Sequence, residues 1–160
     1  MNSQLVVDLL ENKFAVTPYL KSLPITSVPS ADVIDVSGAM LASNEWAELC
    51  RDLDTPRGVV WRVLLLAPDS RAARWRAAES SVWRGDVDAL NSAIIDRSAA
   101  IAALAQEIGV SLDMRYRHDS VSVTRYMRFD EVVLESYYPS NSTGRDTPIA
   151  ILPGTSVLAD

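Results

Sequence analysis

Histidine and cysteine each occur once in these 160 residues, as His118 and Cys50. A lone cysteine excludes an intrachain disulfide and a cysteine-based zinc site. A histidine-based metal site would need carboxylates for its other ligands, so no metal and no cofactor is expected. Lys13 and Lys21 are the only lysines, and arginine supplies the rest of the positive charge. Glycine is sparse, with six residues, and no dinucleotide fingerprint, P-loop or Gly-x-Ser-x-Gly elbow is present. Acidic residues outnumber basic ones 21 to 15, for a net charge of −6. Phosphate neutralisation supplies most non-specific nucleic-acid affinity, so general DNA or RNA binding is not expected. No apolar window approaches the ~20 residues of a membrane span. A basic, apolar leader is also lacking, so Asn141-Ser142-Thr143 reads as loop composition and the cytoplasm is the expected compartment.

What remains has the composition of an ordinary globular chain, 48% hydrophobic and 22% charged. Its length fits one domain able to sustain its own core. Leu5, Val6, Leu9 and Leu10 fall at helical spacing, which predicts an N-terminal helix over residues 4–13. Pro18, Pro24 and Pro29 then predict a connector, so residues 1–30 read as a helix and arm ahead of a domain spanning 31–160. Residues 32–37 predict a short strand ending at Gly38, followed by a helix over 39–53 that holds Cys50 as a small core residue. Val59 to Ala67 is the most apolar run and predicts a central strand covered on both faces. Pro68-Asp69-Ser70 closes it and caps a helix over 71–83. Asp86 caps the next helix, which Gly109 ends; Leu90, Ile94, Ile101, Leu104 and Ile108 form its buried stripe. From Ser111 onward the period falls to two. Strands follow at 111–117, 121–129, 132–138 and 149–152. The order β-α-β-α-α-β-β-β-β predicts a mixed α/β (α+β) sandwich with about six strands, parallel in its first half and antiparallel in its second.

Candidate chemistry reduces to arginines. The acid pairs Asp52/Asp54, Asp86/Asp88 and Asp130/Glu131 fall at element ends, where capping and solvation explain them. Arg71 and Arg74 share a face in the first turns of a helix, whose free N–H groups can hold an anion. Arg115, Arg117, Arg125 and Arg128 are expected to crowd two adjacent strands. Cross-strand pairs with Glu131 and Glu135 account for part of that charge, and the surplus could face a ligand.

Two stretches, Leu65 to Glu79 and Val123-Thr-Arg-Tyr-Met-Arg-Phe-Asp130-Glu-Val-Val-Leu134, resemble degenerate phospholipase D-like domains of bacterial regulators. The resemblance spans about residues 31–153 and implies a half-domain of that fold. The family's His-x-Lys-x-x-x-x-Asp signature is missing. If Asp130 takes the aspartate position, Val123 replaces the histidine and Arg125 the lysine. Starting from His118 puts Ser120 and Arg125 in the later positions. The covalent route needs an imidazole nucleophile, so the resemblance implies a domain inactive by that route, with Arg125 still able to bind an anion. It also implies a homodimer, with Arg125 and the turn near Asp130 close to the two-fold axis. The leading expectation is a non-catalytic sensory or regulatory domain for a small anionic ligand or a protein partner. A phosphodiesterase with an altered site and a dimerisation module without ligand are the alternatives.

Overall fold

The computed structural model describes residues 8–120, 124–137 and 147–152. The chain enters as strand β1 (Asp8–Leu10) and makes a 3-10 turn at Lys13–Ala15 before helix α1 (Val16–Ser22). An extended stretch leads to β2 (Ala31–Ile34), α2 (Asn44–Arg51) and β3 (Val60–Leu66). Helices α3 (Arg71–Glu79) and α4 (Val87–Ile108) follow, then β4 (Ser111–Arg117), β5 (Thr124–Phe129), β6 (Val132–Tyr137) and β7 (Ile149–Leu152). The fold is mixed α/β. Among the described residues seven strands form one sheet, ordered β1-β7-β6-β5-β2-β3-β4. β2, β3 and β4 run parallel, and the remaining pairings are antiparallel.

Local chemistry sets the helix limits. The side chains of Ser43, Ser70 and Asp86 accept from the backbone N–H groups of Trp46, Ala73 and Ala89, capping α2, α3 and α4. Gly109 ends α4 in the left-handed conformation, φ 78°. The N-terminus departs from the helix expected over 4–13. Residues 4–7 lie outside the described part, Asp8–Leu10 pairs with β7, and the helix begins only at Val16. Two apolar pairs cannot distinguish a helix from an edge strand that meets a partner 140 residues away. Pro18 lies inside α1, but in its first turn, where the backbone N–H has no intrahelical partner to lose. Val16, Leu20 and Val28 are buried in the same core as residues beyond 31.

The core lies under one face of the sheet. Trp46 of α2 packs its ring 5.7 Å from Trp61 of β3 and 5.1 Å from Phe129 of β5. Cys50 is fully buried beside them, and burial pushes its thiol up to about 12. Ile101, Leu104 and Ala105 of α4 pack on the same side. β3 is therefore covered along most of its length on one face only: Val60 and Arg62 are exposed and Leu64 half-buried. The expectation of cover on both faces fails because the dense apolar run contains both core residues and the partly wet Leu64. Near the carboxyl end, Leu66 and Val36 are buried in a second cluster with α3 and the first turns of α4. α4, ~33 Å long at 1.5 Å per residue, thus joins two apolar clusters.

Candidate anion-binding site

The candidate site forms where β2 runs out toward α2. Beyond Ile34 the chain stays joined to β3 through Asp35 N–H to Leu64 C=O and Leu66 N–H to Val36 C=O, both 3.1 Å. Gly38 then turns it with φ 71°. On the other side the antiparallel register sets Ile34 opposite Tyr126, so the next residues, Asp35 and Arg125, face each other across the strands. Strand alternation puts both on the helix-covered face, with Val33 and Met127. There Nε of Arg125 donates to Asp35 Oδ1 at 3.1 Å, in an ion pair with both side chains buried.

Two more guanidinium groups reach this point from the helices. Arg97 of α4 donates through Nη1 to the Ser37 hydroxyl. Burial holds its guanidinium below the usual arginine pKa, and Asp35 opposes that shift; an arginine stays protonated regardless. Arg76 of α3 is buried on the helix's alanine face, with Ala72, Ala73 and Ala77. Asp35, Ser37, Arg76, Arg97, Arg125, Lys13 and Ser80 line a cavity of about 80 Å³, bounded by Val82 and Trp83. Among the described residues, four cationic side chains line it against the single carboxylate of Asp35. A cleft lined by one sign of charge concentrates counter-ions.

Of the six arginines singled out in the sequence, Arg125 alone lines this cavity. The expectation that Arg115 and Arg117 crowd beside Arg125 and Arg128 does not hold. β4 is the far edge strand, and β3 and β2 separate it from β5, a distance of ~14 Å at ~4.8 Å per strand. Arg115 is exposed and bidentate with Asp113, at 3.0 Å for both contacts. Arg117 ends β4, its side chain half-buried. Arg128 points to the face opposite Arg125 and donates to the Asp130 carbonyl at 2.9 Å. Arg71 and Arg74 are on the exposed side of α3, where Arg71 borders a shallow depression with Trp75 and Asp119, and Arg74 donates to the Asp69 carbonyl at 3.0 Å.

Nor do Arg125 and Asp130 share a site. They are at opposite ends of β5, ~17 Å apart at ~3.3 Å per residue. Asp130 instead clamps the hairpin turn, its carboxylate accepting from Ser30 N–H and its own N–H donating to Ser30 C=O, each at 3.0 Å. His118 is exposed at the end of β4, and Val123 lies outside the described residues. The pocket around Arg125 is built within one chain and needs no seam with a second copy to exist.

Sequence reading missed Arg76, Arg97, Lys13 and Asp35. Two of them leave a signal. Arg76 falls at helical spacing with Ala72, Ala73 and Ala77, and Arg97 falls between Ile94 and Ile101 on the apolar stripe of α4; both positions point inward. Nothing local marks Lys13 or Asp35.

No family model matches the chain, and no curated protein matches it. Among solved structures, one similar chain is TrmBL2, an archaeal chromatin protein described as showing a novel mode of DNA binding. The similarity covers 96% of this chain and 49% of that one, at 13% identity and a TM-score of 0.47. This chain thus spans about half the length of that neighbour. That description names DNA binding, against the expectation of no general nucleic-acid binding drawn from net charge, and the expectation is not kept. A likeness at this level assigns no DNA-binding surface to the present chain. Among the described residues no helix is long and apolar enough to cross a membrane, and no group of three or more potential ligands could hold a metal ion.

Proposed function

We propose that this chain is a non-catalytic regulatory or sensory domain that binds a small anionic ligand in the cavity between β2, β5, α3 and α4. The observation behind this reading is that Arg76, Arg97, Arg125 and Lys13 line one cavity, with Arg76 and Arg125 only 5% and 4% exposed. Burying guanidinium groups is costly unless opposite charge meets them. An anion in the cavity would bring opposite charge and hydrogen-bond acceptors within reach of these side chains. The hydroxyls of Ser37 and Ser80 add hydrogen-bonding capacity.

Binding is favoured over turnover because the described lining residues include neither imidazole nor thiol. The phospholipase D-like resemblance supports the same reading at one position, since Arg125, in the motif's lysine place, lines the cavity. Within this reading the chain works in the cytoplasm, where a single reduced thiol persists.

Thermal denaturation with phosphate, sulfate, citrate and nucleotides tests the proposal. A ligand present at 100 times its Kd should add about 2.7 kcal/mol of stability, and Arg97→Gln should lose that gain. If no anion raises the melting temperature, the reading fails.

A further inference from the structure

We propose that the outer edge of β4 pairs antiparallel with β4 of a second copy of this chain, about a two-fold axis at Met114, so that the two sheets join into one. The inference stands apart from the anion-binding reading, because β4 ends the sheet and lines no part of that cavity.

The backbone comes first. Ser111 N–H donates to Val59 C=O at 3.1 Å, and Arg117 C=O accepts from Ala67 N–H at 2.8 Å. Both groups therefore point toward β3. Backbone groups of successive residues point to alternate sides of a strand. Asp113 and Arg115 thus direct theirs to β3, and Leu112, Met114 and Tyr116 direct theirs outward. Among the described residues no strand lies beyond β4. All seven residues of β4 pair with β3 in unbroken register, without proline or bulge. Such an edge is a template for another strand.

Register comes second. Outward residues must meet outward residues, so the axis passes at a residue of β4 rather than between two. Centred on Met114, the pairing sets Leu112 against Tyr116 of the second copy as a hydrogen-bonded pair. Asp113 then meets Arg115 of the second copy in the closer, non-hydrogen-bonded position, with Cα atoms about 4.5 Å apart. An axis at Asp113 sets two carboxylates opposite each other, and an axis at Arg115 sets two guanidinium groups opposite each other. Like charges directly opposite destabilise a strand pair. An axis at Leu112 or Tyr116 loses both Asp113–Arg115 pairs. The order of residues in β4 therefore selects Met114.

The two faces of the edge agree with that register. On the uncovered face, Asp32, Arg62 and Asp113 lie side by side on β2, β3 and β4, a row of alternating sign. Arg62 already donates through Nε to Asp32 at 2.6 Å. Arg115 of the second copy continues the row. Each Arg115 keeps its own Asp113, 3.0 Å away, and gains a second carboxylate across the seam. On the other face Leu112 and Met114 pack partly on the core. Tyr116 is 40% exposed and donates through Oη to Met114 Sδ at 3.2 Å. Leu112 of the second copy covers that ring. A self-complementary contact of this kind closes on itself as a dimer. It lies two strands away from β5, where the phospholipase D-like resemblance puts a two-fold axis.

Sedimentation of the full chain tests this from roughly 1 μM to 1 mM, a range suited to weak and transient pairings. The mass should rise toward twice that of one chain. Asp113→Arg sets arginine opposite arginine, and Arg115→Asp sets aspartate opposite aspartate, so each variant alone should stay monomeric. Mixed in equal amounts, the two variants should associate. Every charge pair across the seam is then opposite again, while neither chain regains an ion pair between its own positions 113 and 115. A loss of fold cannot produce that recovery. Met114→Pro removes an outward N–H that β3 does not use, at an edge position where proline is tolerated, and should also stay monomeric. If that variant fails to fold, the charge variants decide. A parent chain that is monomeric throughout the range overturns the proposal. A dimer that persists in both single charge variants has its interface elsewhere and overturns it too. So does a mixture of the two variants that remains monomeric.

Discussion

Asp35 and Arg125 meet across an antiparallel strand pair, Nε to Oδ1 at 3.1 Å, with both side chains almost completely removed from solvent. The pair is unevenly surrounded. Arg97 also feels the charge of Asp35, while Asp35 is the only carboxylate among the described residues lining the cavity.

That unevenness predicts an unequal response to mutation. Removing one partner of a buried ion pair costs about 3–5 kcal/mol. Asp35→Ala should fall in that range, because it takes a carboxylate away from both Arg125 and Arg97. Arg125→Met should cost less, because Asp35 still faces Arg97. Urea denaturation measures both, and added phosphate should restore part of the loss in Asp35→Ala. Equal losses in the two variants would contradict the uneven surroundings.

Two leucines on β3 test the one-sided sheet. Leu66 is fully buried against α3 and α4, so Leu66→Ala should cost about 2–5 kcal/mol. Leu64, half-buried on the uncovered face, should cost about 1 kcal/mol, near the average for point substitutions. If chemical denaturation finds Leu64→Ala as damaging as Leu66→Ala, that face has a cover.

Gly38 turns the chain directly after the site. Its φ is 71°, and an added Cβ would lie 2.8 Å from Ile101 Cδ1, in a fully buried side chain. Gly38→Ala should cost about 1–3 kcal/mol, the range for a strained left-handed residue. Ile101→Val removes the clashing methyl, so the double variant should lose less than the two single losses summed. Strict additivity in denaturation would show that the backbone angle alone matters.

Glu135 of β6 supplies a pH-dependent prediction. Burial raises its carboxyl pKa, so ionisation costs the folded state more than the unfolded one. The penalty is absent below the unfolded value of about 4.3, grows as pH rises, and is complete above the folded pKa. Glu135→Gln should therefore be more stable than the parent at pH 7 and match it near pH 3. Melting curves at the two pH values check this, and a parent that is the more stable at pH 7 would refute it.

The sequence by itself determined what depends on neighbours a few residues apart. Ser70, Asp86 and Gly109 fix helix ends through single capping bonds or one left-handed residue, and they stand where expected. The alternation over 111–117 and 121–129 marked β4 and β5, and in β5 it also marked the side on which Arg125, Met127 and Phe129 are buried. Tertiary structure alone decided strand order and therefore the site. β4 and β5 are consecutive in sequence, yet β2 and β3 lie between them, because strands distant in sequence take the central places. That order disperses Arg115 and Arg117 from Arg125 and brings Asp35 opposite it instead. Arg76 and Arg97 join only because α3 and α4 close over the end of β2, a packing set by Leu66, Leu90 and Ile94. Capping and periodicity act over one or two turns of chain. The cavity that brings Arg125 to Asp35 depends on contacts up to 90 residues apart, which no local pattern encodes.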